Sequence, residues 1–105
     1  MTVQKDTRIA EIVTFRLAEG VTDAAFLDAA RAMQPFVEAA PGFVSRTLSK
    51  GEAGSWTDHV LWTSMTSART AAETIFADPA TAPFAAAIDA KSVVMRHEPV
   101  LFAPG

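Results

Sequence analysis

Few side chains in this sequence are able to do chemistry. Asp58 and Trp62 stand four apart in the segment WTDHVLWTS, residues 56–64. On a strand such positions point the same way, so the acid and the indole share a face with Val60 and Trp56. A carboxylate there can act as a base or orient a ligand. A tryptophan can wall a pocket for a flat molecule, and equally can pack as core. His59 and His97 are the only histidines, and each could serve as a general base near neutral pH. His59 lies on the face opposite Asp58, beside Leu61, which suits an interface. His97 shares a face with Val93, Met95 and Leu101 and is flanked by Arg96 and Glu98. No HxH, HxxxH or HExxH spacing is present, so no metal site is expected. Glu11 interrupts a face that otherwise reads Ile9, Val13, Phe15, Leu17. An acid so placed is an ion-pair partner or a site residue, and a salt bridge to Arg46 or Arg96 is the expectation. No Ser-His-Asp triad, phosphate loop or dinucleotide fingerprint appears.

These residues need a sheet to position them. Residues 9–17, IAEIVTFRL, are rich in β-branched and aromatic types and read as a first strand. Thr22 or Asp23 can cap a helix carrying Phe26, Ala30, Met33 and Val37 at helical spacing. Pro35 should kink that helix and Pro41-Gly42 should end it. A second strand over 43–50 and a third over 56–63 flank GEAGS, a hairpin connection with two glycines. Ser67 is expected to cap a second helix running to about Ala77. Asp78-Pro79 interrupts it, and Pro83 opens a short further turn containing Phe84. The last strand is predicted over 93–102.

The resulting β-α-β-β-α-β order is the ferredoxin-like pattern, an α+β fold with a four-stranded antiparallel sheet and helices on one face. The other face would expose apolar side chains, Ile12 among them, and a sheet-to-sheet homodimer would cover them. The 105 residues suit one domain, with residues 1–8 flexible. The net charge of −3 and the lack of a Lys/Arg cluster argue against nucleic acid. No apolar run is long enough for a membrane span. The absence of cysteine excludes disulfides and a thiolate nucleophile. Residues 1–8, MTVQKDTR, lack a signal-peptide apolar region, so a cytoplasmic protein is expected.

The chain also resembles the dimeric α+β barrel superfamily, in particular the antibiotic-biosynthesis monooxygenase-like domains. The residues that carry this are Pro41-Gly42-Phe43, the run from Val60 to Ser64, and Asp78-Pro79 followed by Phe84. The resemblance spans about residues 9–102. It implies a dimeric barrel and, in its oxygenase members, cofactor-free oxidation of polycyclic phenols and anthrones. Trp62 matches the tryptophan of the third strand, while Asp58 stands where polyketide-acting members have asparagine. Haem-degrading members carry a histidine where this chain has Ile88, and an asparagine near Val13, so haem ligation in their manner is not implied.

Three functions follow as expectations. One is a cofactor-independent oxygenase-like enzyme acting on a hydrophobic aromatic metabolite. Its catalytic candidates are Asp58, Trp62 and His97, and its substrate would lie among Phe15, Phe26, Met33, Phe36, Trp62 and Phe76. This reading requires a closed cavity between sheet and helices that reaches Asp58. The second is a non-catalytic ligand-binding or stress-related homodimer with a filled core. The third is an isomerase or decarboxylase with a histidine base, which requires a histidine within hydrogen-bond reach of a carboxylate.

Overall fold

The computed structural model describes residues 7–104. The expectation of flexibility over residues 1–8 therefore falls mostly outside them. Its last two residues are tied to the sheet. Thr7 Oγ1 donates to the Thr63 carbonyl at 3.0 Å, and the Arg8 carbonyl accepts from Val100 N at 3.0 Å.

The elements are β1 (Ile9–Phe15), α1 (Asp23–Ala39), β2 (Phe43–Lys50), β3 (Trp56–Trp62), α2 (Met65–Ile75), α3 (Ala82–Ala86) and β4 (Val94–Pro99). The sheet order is β2-β3-β1-β4, with every neighbouring pair antiparallel. This is the ferredoxin-like arrangement the element order predicts.

Several boundaries move for identifiable reasons. β1 stops at Phe15 because the next residue is captured by a turn: Arg16 N donates to Ser92 Oγ at 2.8 Å, and Asp89 N donates to the Arg16 carbonyl at 2.9 Å. Leu17 keeps only an isolated bridge to Ile88. α1 is capped by Thr22, whose Oγ1 accepts from Ala25 N at 3.1 Å. It continues through Pro35 as one helix. The cap of α2 is Ser64, three residues earlier than predicted. Ser64 Oγ accepts from Ser67 N at 3.1 Å, so Ser67 lies in the first turn. β4 ends at Pro99, which has no N–H for the ladder. Beyond it the chain leaves the sheet with Leu101 and Phe102 91% and 86% exposed.

Strand alternation sorts the sheet into two faces. Phe15, Trp56, Val60 and Trp62 point to the helices and join Phe26, Ala30, Met33, Val37, Ala68, Ala71, Ile75 and Phe84 in the core. Phe26 is its centre, with ring centroids 5.6 Å from Phe15, 4.9 Å from Trp56 and 5.0 Å from Phe84. The opposite face carries Ala10, Ile12 and Leu61, but also His59, Thr47, Arg96 and Glu98. It is more mixed than the sequence suggested. Gly42, at φ +87°, makes the turn into β2, where an added Cβ would collide with Ser67 and Thr63.

Candidate functional site

The hairpin register places the first polar group. Lys50 pairs with Trp56, so Leu48 lies opposite Asp58 and Arg46 opposite Val60. Arg46 and Asp58 are therefore diagonal neighbours on the helix-facing side, within reach of long side chains. They form a two-pronged ion pair. Arg46 Nε donates to Asp58 Oδ1 at 2.9 Å and Nη2 to Oδ2 at 2.7 Å. The side chains are only 6% and 12% exposed. From α1, Gln34 Oε1 accepts from Arg46 Nη1 at 3.0 Å, and Gln34 Nε2 donates to Glu38 Oε1 at 3.2 Å. The guanidinium lies 5.2 Å from the Phe84 ring centroid. Asp58 thus spends both oxygens on one cation, and Arg46 keeps a second Nη1 hydrogen beyond the bond to Gln34.

β1 and β4 place a second group. Glu11 pairs across the ladder with His97, and His97 Nε2 meets Glu11 Oε2 at 2.8 Å. The expected salt bridge of Glu11 to Arg46 or Arg96 does not form. Arg46 is taken by Asp58, and Arg96 bonds Glu98 at 3.0 Å on the other side of the sheet.

Between these groups lies a cavity of about 260 Å³, close to the lower end of small-molecule pockets, about 300 Å³. Its inner wall includes Met33, Val37, Val60, Trp62 and Phe84, with Glu11, Arg46 and Asp58 as its charged members. Phe76, Val93 and Met95 line it and are themselves exposed, which marks its mouth beside β4. The expected cavity exists and reaches Asp58, but it is open on this side rather than closed. β4 is an edge strand whose residues other than His97 are exposed.

The residues named from sequence divide accordingly. Phe15, Met33, Trp62 and Phe76 line the cavity, and so does Asp58. Phe26 does not, because it is wholly buried among the aromatic rings behind it. Phe36 does not either; it sits on the solvent side of α1 and is partly exposed. His97 reaches the wall through Glu11. Arg46 was not foreseen as a wall residue, though the hairpin spacing contains the register that puts it beside Asp58. Trp62 adds a further polar atom. Its Nε1 is the one buried side-chain nitrogen or oxygen without a hydrogen-bond partner among the described residues. Such orphans are rare, and this one is closed off from the cavity as well as from solvent. No group of His, Cys, Asp and Glu among the described residues could hold a metal ion, and no helix is long and apolar enough to cross a membrane.

No protein-family model matches the chain, and no curated protein sequence is similar enough to match it. Solved structures do match. A candidate antibiotic biosynthesis monooxygenase from Bordetella bronchiseptica superposes with a TM-score of 0.77 at 17% identity, covering 94% of this chain and 100% of the other. A similar candidate from Caulobacter crescentus gives 0.74 at 17% identity, covering 92% of each chain. SnoaB, a cofactor-independent oxygenase from Streptomyces nogalater, gives 0.64 at 21% identity, covering 94% of this chain and 96% of its own. The chain has the fold of the antibiotic-biosynthesis monooxygenase-like domains.

Proposed function

We propose that this chain is a cofactor-independent, monooxygenase-like enzyme that oxidises a hydrophobic aromatic metabolite in the cavity between sheet and helices. The observation that carries this reading is an apolar cavity between sheet and helices with the paired Arg46 and Asp58 in its wall. The SnoaB fold match supports the reaction class.

The chemistry needs little from the protein. Loss of an acidic C–H proton leaves a carbanion whose charge spreads onto a conjugated oxygen. One electron passes to dioxygen, giving a substrate radical and superoxide, which combine to a peroxide anion. That anion takes up the proton, and loss of water from the hydroperoxide leaves a new carbonyl. One oxygen atom ends in product and the other in water; the substrate supplies all the electrons. Arg46 stabilises the oxyanion as charge develops, and Trp62 supplies an aromatic wall for the substrate. Asp58 fits the role of counter-ion that holds the guanidinium, because both its oxygens are occupied. His97 with Glu11 is the pair able to take up the released proton. The same 2.8 Å pair favours a second reading, a histidine-assisted isomerase or decarboxylase on this site.

The protein works as a homodimer in this proposal. The half-buried Leu61 of the outer sheet face and the exposed Leu101 and Phe102 supply the apolar contact; Ile12, expected to lie exposed there, and Ala10 are already buried within the chain. Sedimentation should give twice the chain mass, and a monomer would remove this part. The oxidation is tested with an oxygen electrode, using a hydroxylated anthrone and no added cofactor. Uptake above the buffer rate, with quinone formed in equal amount, is expected. Arg46→Lys, which keeps the charge but loses the planar set of donors, should lower the rate by roughly 100-fold, as for other single oxyanion donors. No uptake above buffer would refute the oxygenase.

A further inference from the structure

The chain has no cysteine, so its thioethers are the only sulfur that a peroxide can oxidise. Four methionines carry them. Met1 lies outside the described residues. Met65, the first residue of α2, is half-buried and is not in the cavity wall. The other two, Met33 and Met95, line the cavity at different depths. Met33 belongs to the inner wall, 3% exposed, with its sulfur 3.9 Å from Arg46 Nη2. Met95 is 53% exposed.

Position in the sheet explains the difference. Met95 pairs with Val13 of β1, and the two stand side by side in the cavity wall. β4 is the edge strand, with β1 on one side and no strand on the other among the described residues. The thioether of Met95 is therefore reached from solvent as well as from the cavity. Val93 precedes it by two residues on the same face, and Phe76 stands at the end of α2; both are partly exposed and line the cavity. Together the three side chains make an apolar lip.

Oxidation changes the chemistry of that lip. The sulfur lone pair attacks one oxygen of hydrogen peroxide, and an S–O bond forms as the O–O bond breaks. The oxygen left behind takes the proton of the transferred oxygen and departs as water. Sulfur has lost two electrons and the peroxide has gained them. The product is a sulfoxide, polar where the thioether was apolar. An apolar ligand seated against it strips water from the new oxygen, and the side chains of Val93 and Phe76 have no donor to give in exchange.

We infer that Met95 is an oxidation site that controls occupancy of the cavity. Peroxide converts it to the sulfoxide, and apolar ligands then bind weakly. A methionine sulfoxide reductase reverses the change: two thiols become a disulfide as the oxygen leaves as water. Met33, in the same cavity, keeps its thioether because packing shields it. The inference rests on the reading of the cavity as a ligand site, and not on any oxygen chemistry within it.

The test treats the parent protein with hydrogen peroxide and measures two quantities on one sample. Tryptic peptides 92–96 and 32–46 report Met95 and Met33 separately by mass. Titration with N-phenyl-1-naphthylamine, an uncharged dye that brightens in apolar surroundings, reports the cavity. Met95 should be oxidised roughly tenfold or more faster than Met33, since susceptibility follows exposure. Dye affinity should fall about tenfold as peptide 92–96 gains one oxygen, as the lost hydration of one unpaired polar group allows. Sulfoxide reductase with dithiothreitol should restore it. Met95→Leu, whatever its own affinity, should show no fall on treatment, whereas Met65→Leu should show the full fall.

A Met95 sulfoxide with unchanged dye affinity would overturn the inference and leave the ligand site standing. So would a fall that persists in Met95→Leu, a fall that the reductase does not reverse, or oxidation of Met33 as fast as that of Met95. No saturable dye binding to the untreated parent would refute the cavity as a ligand site, and the inference with it.

Discussion

Replacing Arg46 by methionine removes one half of the Arg46–Asp58 pair and leaves the other half in the cavity floor. The lost interactions are two charge-assisted bonds to Asp58, one bond to Gln34 and the packing over Phe84. The larger cost is the Asp58 carboxylate, 12% exposed and stripped of its only cation. Breaking a buried pair in this way costs about 3–5 kcal/mol. The cavity admits some water to Asp58, so about 3 kcal/mol is the expected figure. Against a total of about 5–15 kcal/mol for a domain, that is a large share. Replacing both partners, Arg46→Met with Asp58→Leu, removes the stranded charge and should recover most of the loss, because the pair's attraction roughly balances its desolvation. Urea unfolding of the parent, both single variants and the double variant closes the cycle. The single variants should show midpoints well below the parent and the double variant one close to it. A loss under about 1 kcal/mol for Arg46→Met, or a double variant as unstable as the two single effects added, would refute the buried-pair argument.

Other outcomes follow from the same geometry. Trp62→Phe keeps an aromatic ring against Phe43 and deletes the orphaned N–H; stability measured in urea should change by under about 1 kcal/mol, since relief of the buried donor offsets lost area. Phe26→Ala empties the centre of the ring cluster and should cost about 3–5 kcal/mol by thermal or urea unfolding. Gly42→Ala places a Cβ against Ser67 and Thr63 at a φ of +87° and should destabilise by about 2 kcal/mol or more, from overpacking and backbone strain together.

Much of the fold is legible in the residues, because it rests on local periodicity. The alternation Trp56, Asp58, Val60, Trp62 against His59 and Leu61 holds in the structure, with the first set buried under the helices. The stripe Phe26, Ala30, Met33, Val37 is the buried face of α1. Boundaries were less legible. Ser64 and Ser67 are chemically equal caps, and what favours Ser64 is that β3 ends just before it, where Thr63 N donates to the Gly42 carbonyl at 2.8 Å across the start of β2. The cavity side chains were half legible. Phe26 and Phe36 both suit a pocket by type, yet one is the centre of the core and the other faces outward. Residue type and spacing cannot separate a ring that lines a void from one that fills it.

The sequence by itself determined the element order, the antiparallel hairpin and the face on which Asp58 and Trp62 stand, since side-chain period and turn chemistry are properties of neighbouring residues. Only the tertiary structure decided who pairs with whom. Glu11 was open to either of two arginines by sequence, and its partner became His97 once β4 lay beside β1. Arg46 turned to Asp58 because the hairpin register set them diagonally opposite, under Gln34 of α1. A hydrogen-bonded ion pair needs contact distance, and a one-residue slip in register turns a side chain to the other face, so a shift of one strand or one residue selects a different partner. The chemistry of this cavity follows from those two pairings.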